Sequence, residues 1–197
     1  MEDLPPVAHP ARSALGSHPV GDREELLNEI RQHGVVHGDF ILSSGQRASW
    51  YIDLRRVLLS GRAGPLAGRV MLDVTAGLDY EAVGGLTLGA DPVAAAMMHS
   101  AAHLGRPLDA FVVRKAGKEH GLQRRIEGPD VAGRRVLAVE DTSTTGSSVL
   151  TAVEALREAG AEVAGVAVVM ERGARSRVLE TGLPYRAAFD VSELGLD

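Results

Sequence analysis

Apolar positions along this chain follow two alternating rhythms. Leu26, Leu27 and Ile30 share one face at helical spacing behind Asp22, a residue suited to capping, and Gly34 stops the run. That pattern predicts a first helix over 22–34. Two short extended pieces follow at about 40–42 and 50–54, parted by the polar loop SSGQRAS. A helix interrupted by glycine and proline is expected near 66–76. Four apolar runs then predict strands at 82–86, 110–113, 136–139 and 164–169. The helices between them begin at Asp91-Pro92, a cap with proline in the first turn, and near Gly146. Residues 114–133 break the alternation, joining two strands with no convincing helix.

Strand alternating with helix implies a largely parallel sheet covered on both faces, and in such sheets ligands sit beyond the carboxyl ends of the strands. The loops GGLTLGADP and EDTSTTGSS both lie at such ends, as does the start of the basic stretch after Val113. With 197 residues the chain has room for one α/β domain, read as 22–197 behind a flexible leader over 1–21 that is rich in Pro, Ala and His. No internal repeat or heptad pattern interrupts it.

Charge and composition narrow the classes. Twenty-one basic against 26 acidic residues leave a formal charge of −5, so no global positive field draws nucleic acid or an anionic membrane, and any anion must be held locally. The absence of cysteine excludes a disulfide framework and a thiolate metal site, and fits a cytoplasmic protein. No apolar run approaches the roughly 18–20 residues of a membrane span. His99 and His103 stand four apart in a predicted helix but lack a third ligand, and no nucleoside-triphosphate loop of the G-x-x-x-x-G-K-[ST] type occurs. Met97 and Met98 read as core.

The run VLAVEDTSTTGSSVL, from Val136 to Leu150, carries the most chemistry. A strand, a short hydroxyl-rich loop and a helix N-terminus make an anion cradle, because the first turn of a helix leaves backbone N–H groups unpaired at the positive end of its dipole. Thr144, Thr145, Ser147 and Ser148 add hydroxyl donors, and Gly146 lets the backbone approach closely. Glu140 and Asp141 would repel the same phosphate. They suit a sugar diol, directly or through a divalent metal. Phosphate and diol together describe a ribose 5-phosphate, with an acidic strand end and a capped helix as the plain structural alternative.

The block VEDTSTTGSS resembles the 5-phosphoribosyl-1-pyrophosphate (PRPP) motif of type I phosphoribosyltransferases. The basic stretch RKAGKEHG, with Arg114, Lys115, Lys118 and His120, followed by Gln123, Arg124, Arg125 and IEG, resembles the catalytic loop of the orotate phosphoribosyltransferases within that group. FILSSGQRASWYIDLR is similar to that family's N-terminal block, which helps shape the orotate pocket, and GGLTLGADPVA to its pyrophosphate loop. Arg172, in MERGAR, stands where the family carries an arginine facing orotate. Two positions depart from the family pattern: Ser43 and Leu88 replace lysines often found in the first block and the pyrophosphate loop.

The resemblance implies a type I phosphoribosyltransferase fold, a mostly parallel sheet flanked by helices with a small N-terminal hood. It implies transfer of the phosphoribosyl group from PRPP to orotate, giving orotidine 5′-monophosphate and pyrophosphate in pyrimidine biosynthesis. Arg114, Lys115, Lys118, His120, Glu140, Asp141, Thr142, Ser143, Thr144, Thr145, Gly146, Ser147 and Ser148 are the expected PRPP contacts, and Thr144 and Arg172 the expected orotate contacts. Lys118, His120 and Asp141 are the expected catalytic residues: Lys118 and His120 meet the departing diphosphate, and Asp141 faces the ribose. Mg²⁺ is expected to be held mainly through PRPP, near Glu140 and Asp141. The resemblance further implies a homodimer in which a mobile loop, 115–128, closes over PRPP and completes the partner's site. The rivals are transfer to a purine or another pyrimidine, and a PRPP-sensing regulator that has lost catalysis. An arginine at the base favours a carboxylated acceptor; a regulator would need a nucleic-acid surface, which neither the acidic balance nor the leader provides.

Overall fold

In the computed structural model, residues 19–41, 47–115 and 125–196 are described, with side chains from Gly21 onward. The first helix, α1 (Pro19–Glu29), starts three residues before the predicted Asp22 and passes into a π-helical turn, Ile30–Gly34. The predicted leader is therefore helical over its last three residues, 19–21, and Asp22 lies inside the helix, where its carboxylate takes a bidentate bond from Arg69 at 2.7 and 3.1 Å. The predicted cap is an inter-helix tie.

Strands β1 (Val35–Ile41) and β2 (Arg47–Ile52) pair antiparallel as a two-stranded hood, longer than predicted at its start. After two helices, α2 (Arg55–Leu58) and α3 (Ala63–Val74), come β3 (Ala82–Leu86), α4 (Ala90–His103), β4 (Asp109–Val113) and β5 (Ile126–Glu127). The chain closes with β6 (Arg135–Ser143), α5 (Ser147–Glu158), β7 (Glu162–Glu171), α6 (Arg175–Leu179) and β8 (Tyr185–Asp190). The main sheet runs β5-β4-β3-β6-β7-β8, parallel except for the β4–β5 pair.

Alternation along the central strands builds the two cores. On β6, Leu137 and Val139 turn towards α1, α3 and α4, while Val136 and Ala138 turn towards α5; β7 divides Ala167 and Val169 from Val166 and Val168 in the same way. Both sides are apolar because both are covered, which is why these strands read as continuous hydrophobic runs. Each fully buried Leu or Val stabilises the fold by about 1.5–3 kcal/mol relative to exposure. Tight packing of α3 on α4 depends on Gly68, where a Cβ would stand 2.2 Å from the Ala96 carbonyl.

The chain leaves β3 to one side for β4 and then crosses to the other side for β6. Neighbouring β3 and β6 therefore send their connections in opposite directions, opening a crevice at their carboxyl ends. The loops after these two strands are the ones that the sequence singles out.

Candidate active site

A cavity of about 330 Å³ occupies that crevice. It is lined by Thr87, Leu88 and Gly89 after β3, by Glu140, Asp141, Thr142, Thr144 and Ser148 from β6 and its loop, and by Lys115 and Arg172. Tyr51, Asp53 and Arg55, from the hood and the turn into α2, close another side.

Glu140 is buried, and its carboxyl is pushed up to about 8, first by burial and then by the charge of Asp141 beside it, with a smaller contribution from Asp91. Asp141 is also raised, chiefly by burial, although the Thr142 N–H donates to its Oδ1 at 2.6 Å and Arg55 opposes the rise. Two adjacent carboxyls that burial holds away from their charged forms gain strongly from a cation or from donor hydroxyls. Gly89 makes the packing possible: a Cβ there would lie 2.3 Å from Glu140 Oε1 and 2.7 Å from Asp141 Oδ1. These hard oxygen donors fit a divalent cation such as Mg²⁺. Among the described residues no cluster of three or more His, Cys, Asp or Glu could hold such an ion, so further ligands would come from substrate and water.

The loop from Thr144 to Ser148 leads into α5 through Gly146, whose φ of +73° suits glycine. The Thr145 hydroxyl donates to Ser147 Oγ at 3.0 Å and accepts from the Ser147 N–H at 3.4 Å. From α6, Arg177 donates to the Thr145 carbonyl at 3.0 Å and to Ser147 Oγ at 3.1 Å. This loop is the predicted anion cradle, with its exposed hydroxyls at the helix N-terminus.

On the opposite side Arg172 leaves the end of β7. Its N–H donates to the Ser143 carbonyl at 2.9 Å, and its guanidinium lies 5.2 Å from the centre of the Trp50 ring. Partial burial lowers its pKa from the usual arginine value, with Tyr51 opposing the shift, and the guanidinium is half-buried at the cavity wall.

Of the predicted contacts, Lys115, Glu140, Asp141, Thr142, Thr144, Ser148 and Arg172 line one cavity. Ser143 does not: it is buried, and its carbonyl is spent on Arg172. Thr145, Gly146 and Ser147 shape the loop behind the cavity wall. Arg114 pairs with Glu127 at 3.4 Å, and its N–H donates to the Arg125 carbonyl at 2.7 Å, so it frames the basic segment from outside the cavity. Lys118, His120 and Ser43 lie outside the described residues, as do most of the 115–128 loop and the leader before Pro19. Leu88 is on the rim, 68% exposed. His99 and His103 are exposed on α4, whereas Met97 is core.

Asp53 and Arg55, both in the YIDLR block, have no role predicted from the sequence. Asp53 Oδ1 accepts from Arg55 Nε at 3.0 Å, and this pair raises the pKa of Arg55. The block itself was the available signal. The stack of Trp50 on Arg172 had none, because 122 positions separate the two residues.

A family model described as a phosphoribosyl transferase domain matches residues 83–183, from β3 to just before β8. The orotate phosphoribosyltransferase of Streptomyces avermitilis is 64% identical over 178 residues, which cover 89% of this chain and 98% of that one. The chain belongs to the orotate phosphoribosyltransferase family. Among solved members, the Mycobacterium tuberculosis orotate phosphoribosyltransferase in complex with Fe(III) dicitrate superposes with a TM-score of 0.82 at 55% identity, covering 89% of this chain and 99% of that one. The same enzyme in complex with PRPP gives 0.78 at 51%, with the same coverage. The carboxylate pair, the hydroxyl loop and the arginine of this orotate phosphoribosyltransferase family member therefore belong to a shared fold.

Proposed function

We propose that this cavity binds PRPP and orotate side by side and transfers the 5-phosphoribosyl group to a ring nitrogen of orotate, releasing pyrophosphate and forming orotidine 5′-monophosphate. The observation that carries this reading is a single cavity lined by an adjacent carboxylate pair with raised pKa values, a hydroxyl-rich loop at a helix N-terminus and a half-buried arginine. Ribose 5-phosphate needs the first two, and a carboxylated base needs the third.

The 5-phosphate takes the N–H and hydroxyl donors of Thr144 to Ser148, and the diol faces Glu140 and Asp141. Glu140 and Asp141 would help to hold a divalent cation, Mg²⁺ in our reading, which when bound would supply positive charge against the diphosphate. As the bond from ribose C1 to diphosphate oxygen breaks, its electrons leave with the diphosphate and positive charge develops on the ribose ring; the orotate ring nitrogen bonds C1 and gives up its proton to the departing diphosphate or to solvent. Asp141 and Glu140 face that ring. Lys115 and Arg55 line the same cavity and meet the charge on the departing group, where one well-placed donor is typically worth roughly 3–4 kcal/mol. Lys118 and His120 are assigned to the same leaving group, His120 as a proton donor. The orotate carboxylate pairs with Arg172, beside Thr144.

The active form in this reading is a cytoplasmic homodimer, with the loop 115–128 of each protomer completing the other's site. Among the described residues no helix is long and apolar enough to cross a membrane.

The test mixes purified protein with PRPP, Mg²⁺ and orotate and follows loss of orotate absorbance, with adenine and hypoxanthine as parallel acceptors and Lys118→Ala as the comparison. Consumption of orotate alone, strongly reduced in the variant, is expected. PRPP binding with no base consumed would overturn catalysis in favour of a sensor.

A further inference from the structure

Arg172 is aimed by residues that need not touch either substrate. Its neighbour Glu171 is 3% exposed, and its carboxylate is fully engaged. Oε1 accepts the N–H of Gly173 at 2.6 Å and the N–H of Arg175 at 3.2 Å, while Oε2 accepts the hydroxyl of Tyr185 on β8. Tyr185 is 3% exposed, and burial together with the Glu171 carboxylate raises its pKa, so it stays a donor. The Arg175 guanidinium covers the other side of this pair, 5.1 Å from the Tyr185 ring centre.

A buried carboxylate is costly unless it is hydrogen-bonded, and here the two bonds to Oε1 close the turn that follows Arg172 while the bond to Oε2 ties that turn to β8. Before the turn, the Arg172 N–H is fixed to Ser143. After it, Glu171 holds residues 173 and 175. The backbone on either side of Arg172 is thus tied down, leaving the guanidinium to settle over Trp50.

We propose that Glu171 and Tyr185 are a positioning pair that orients Arg172 towards the carboxylate of the base, and so help to set acceptor specificity. This rests on the reading of Arg172 as the base-binding arginine. Arg177, six residues past Glu171, supports the phosphate loop instead and supplies a contrast within one short segment.

The experiment measures KM for orotate and for PRPP separately in Arg172→Ala, Tyr185→Phe, the double variant, Glu171→Ala, Glu171→Gln and Arg177→Ala, with thermal unfolding confirming that each is folded. Tyr185→Phe keeps the ring in the core and removes only the donor. It is expected to raise the orotate KM roughly three- to tenfold with the PRPP KM within about twofold. In the Arg172→Ala background the same change is expected to add nothing, because the pair acts through the arginine. Glu171→Gln keeps an oxygen to accept both turn N–H groups and an amide that can donate to Tyr185, and is expected to restore most of the orotate affinity lost in Glu171→Ala. Arg177→Ala should raise the PRPP KM alone. If Tyr185→Phe leaves the orotate KM unchanged, moves both KM values equally, or adds its full effect on top of Arg172→Ala, the positioning role fails. If Arg172→Ala itself leaves the orotate KM unchanged, the base-binding reading fails first.

Discussion

The two loops at the carboxyl ends of β6 and β7 lie side by side, and in the proposed reading they recognise their ligands by different means. After β6, the backbone does the binding. Gly146 turns through positive φ, α5 begins, and the N–H groups of its first turn stand beside short hydroxyls, the place proposed for the phosphate. After β7, one long side chain does it, and that side chain depends on distant partners: Ser143 on β6, Trp50 on the hood and, through Glu171, Tyr185 on β8. Backbone recognition is local and tolerates loss of any single hydroxyl. Side-chain recognition is specific but inherits every error in its supports.

This contrast can be broken most severely between the two loops, at the carboxylates assigned to the ribose, where the bond to the base forms. Asp141→Asn keeps the shape and removes the charge facing the ribose, so kcat/KM is expected to fall by about 10²–10³-fold, measured under saturating Mg²⁺. Next comes Arg172→Ala, which removes a charge-assisted bond to the base and should raise the orotate KM by roughly 10- to 100-fold with the PRPP KM little changed. Gly146→Ala tests the other loop. A Cβ there has room, its nearest neighbour being Val178 Cγ2 at 3.5 Å, so the cost is conformational, about 1–2 kcal/mol. A lower Tm and a higher PRPP KM, with the orotate KM unchanged, are expected.

A gentler probe uses pH. Glu140 has its folded pKa raised from 4.5 to about 8, so between those values the folded, ligand-free protein holds a proton that the unfolded chain has released. The stabilisation from that proton is fully present below about 4.5 and is lost as pH rises through about 8. Ligand-free Tm should therefore decline across this window, and Glu140→Gln should flatten the decline. Mg²⁺ with PRPP should lessen it, because both favour the charged pair. A wild-type curve no steeper than the variant's would show that the pair is not desolvated.

The same contrast explains what could be read from the amino acids. The phosphate loop was legible because strand, hydroxyls, glycine and helix are consecutive, and the central strands because burial on both faces writes continuous apolar runs such as 136–139. The start of α1 was misread because Asp22 looks like a cap, whereas its carboxylate is held by Arg69, 47 positions away. Strand β5 has two residues and α6 has five, too few to show a period. Arg172 was found through family likeness. Its supports were not, since a bond between Glu171 and Tyr185 or a stack on Trp50 exists only after the sheet has formed.

The central claim is that one arginine, held by a non-local frame, makes this site choose a carboxylated pyrimidine. Its most direct test is the ratio of kcat/KM for orotate to that for uracil, in the wild-type protein and in Arg172→Ala. A strong preference for orotate that largely collapses in the variant, through loss of orotate use, is expected. A ratio that survives the substitution would contradict it and place the choice of base elsewhere in the cavity.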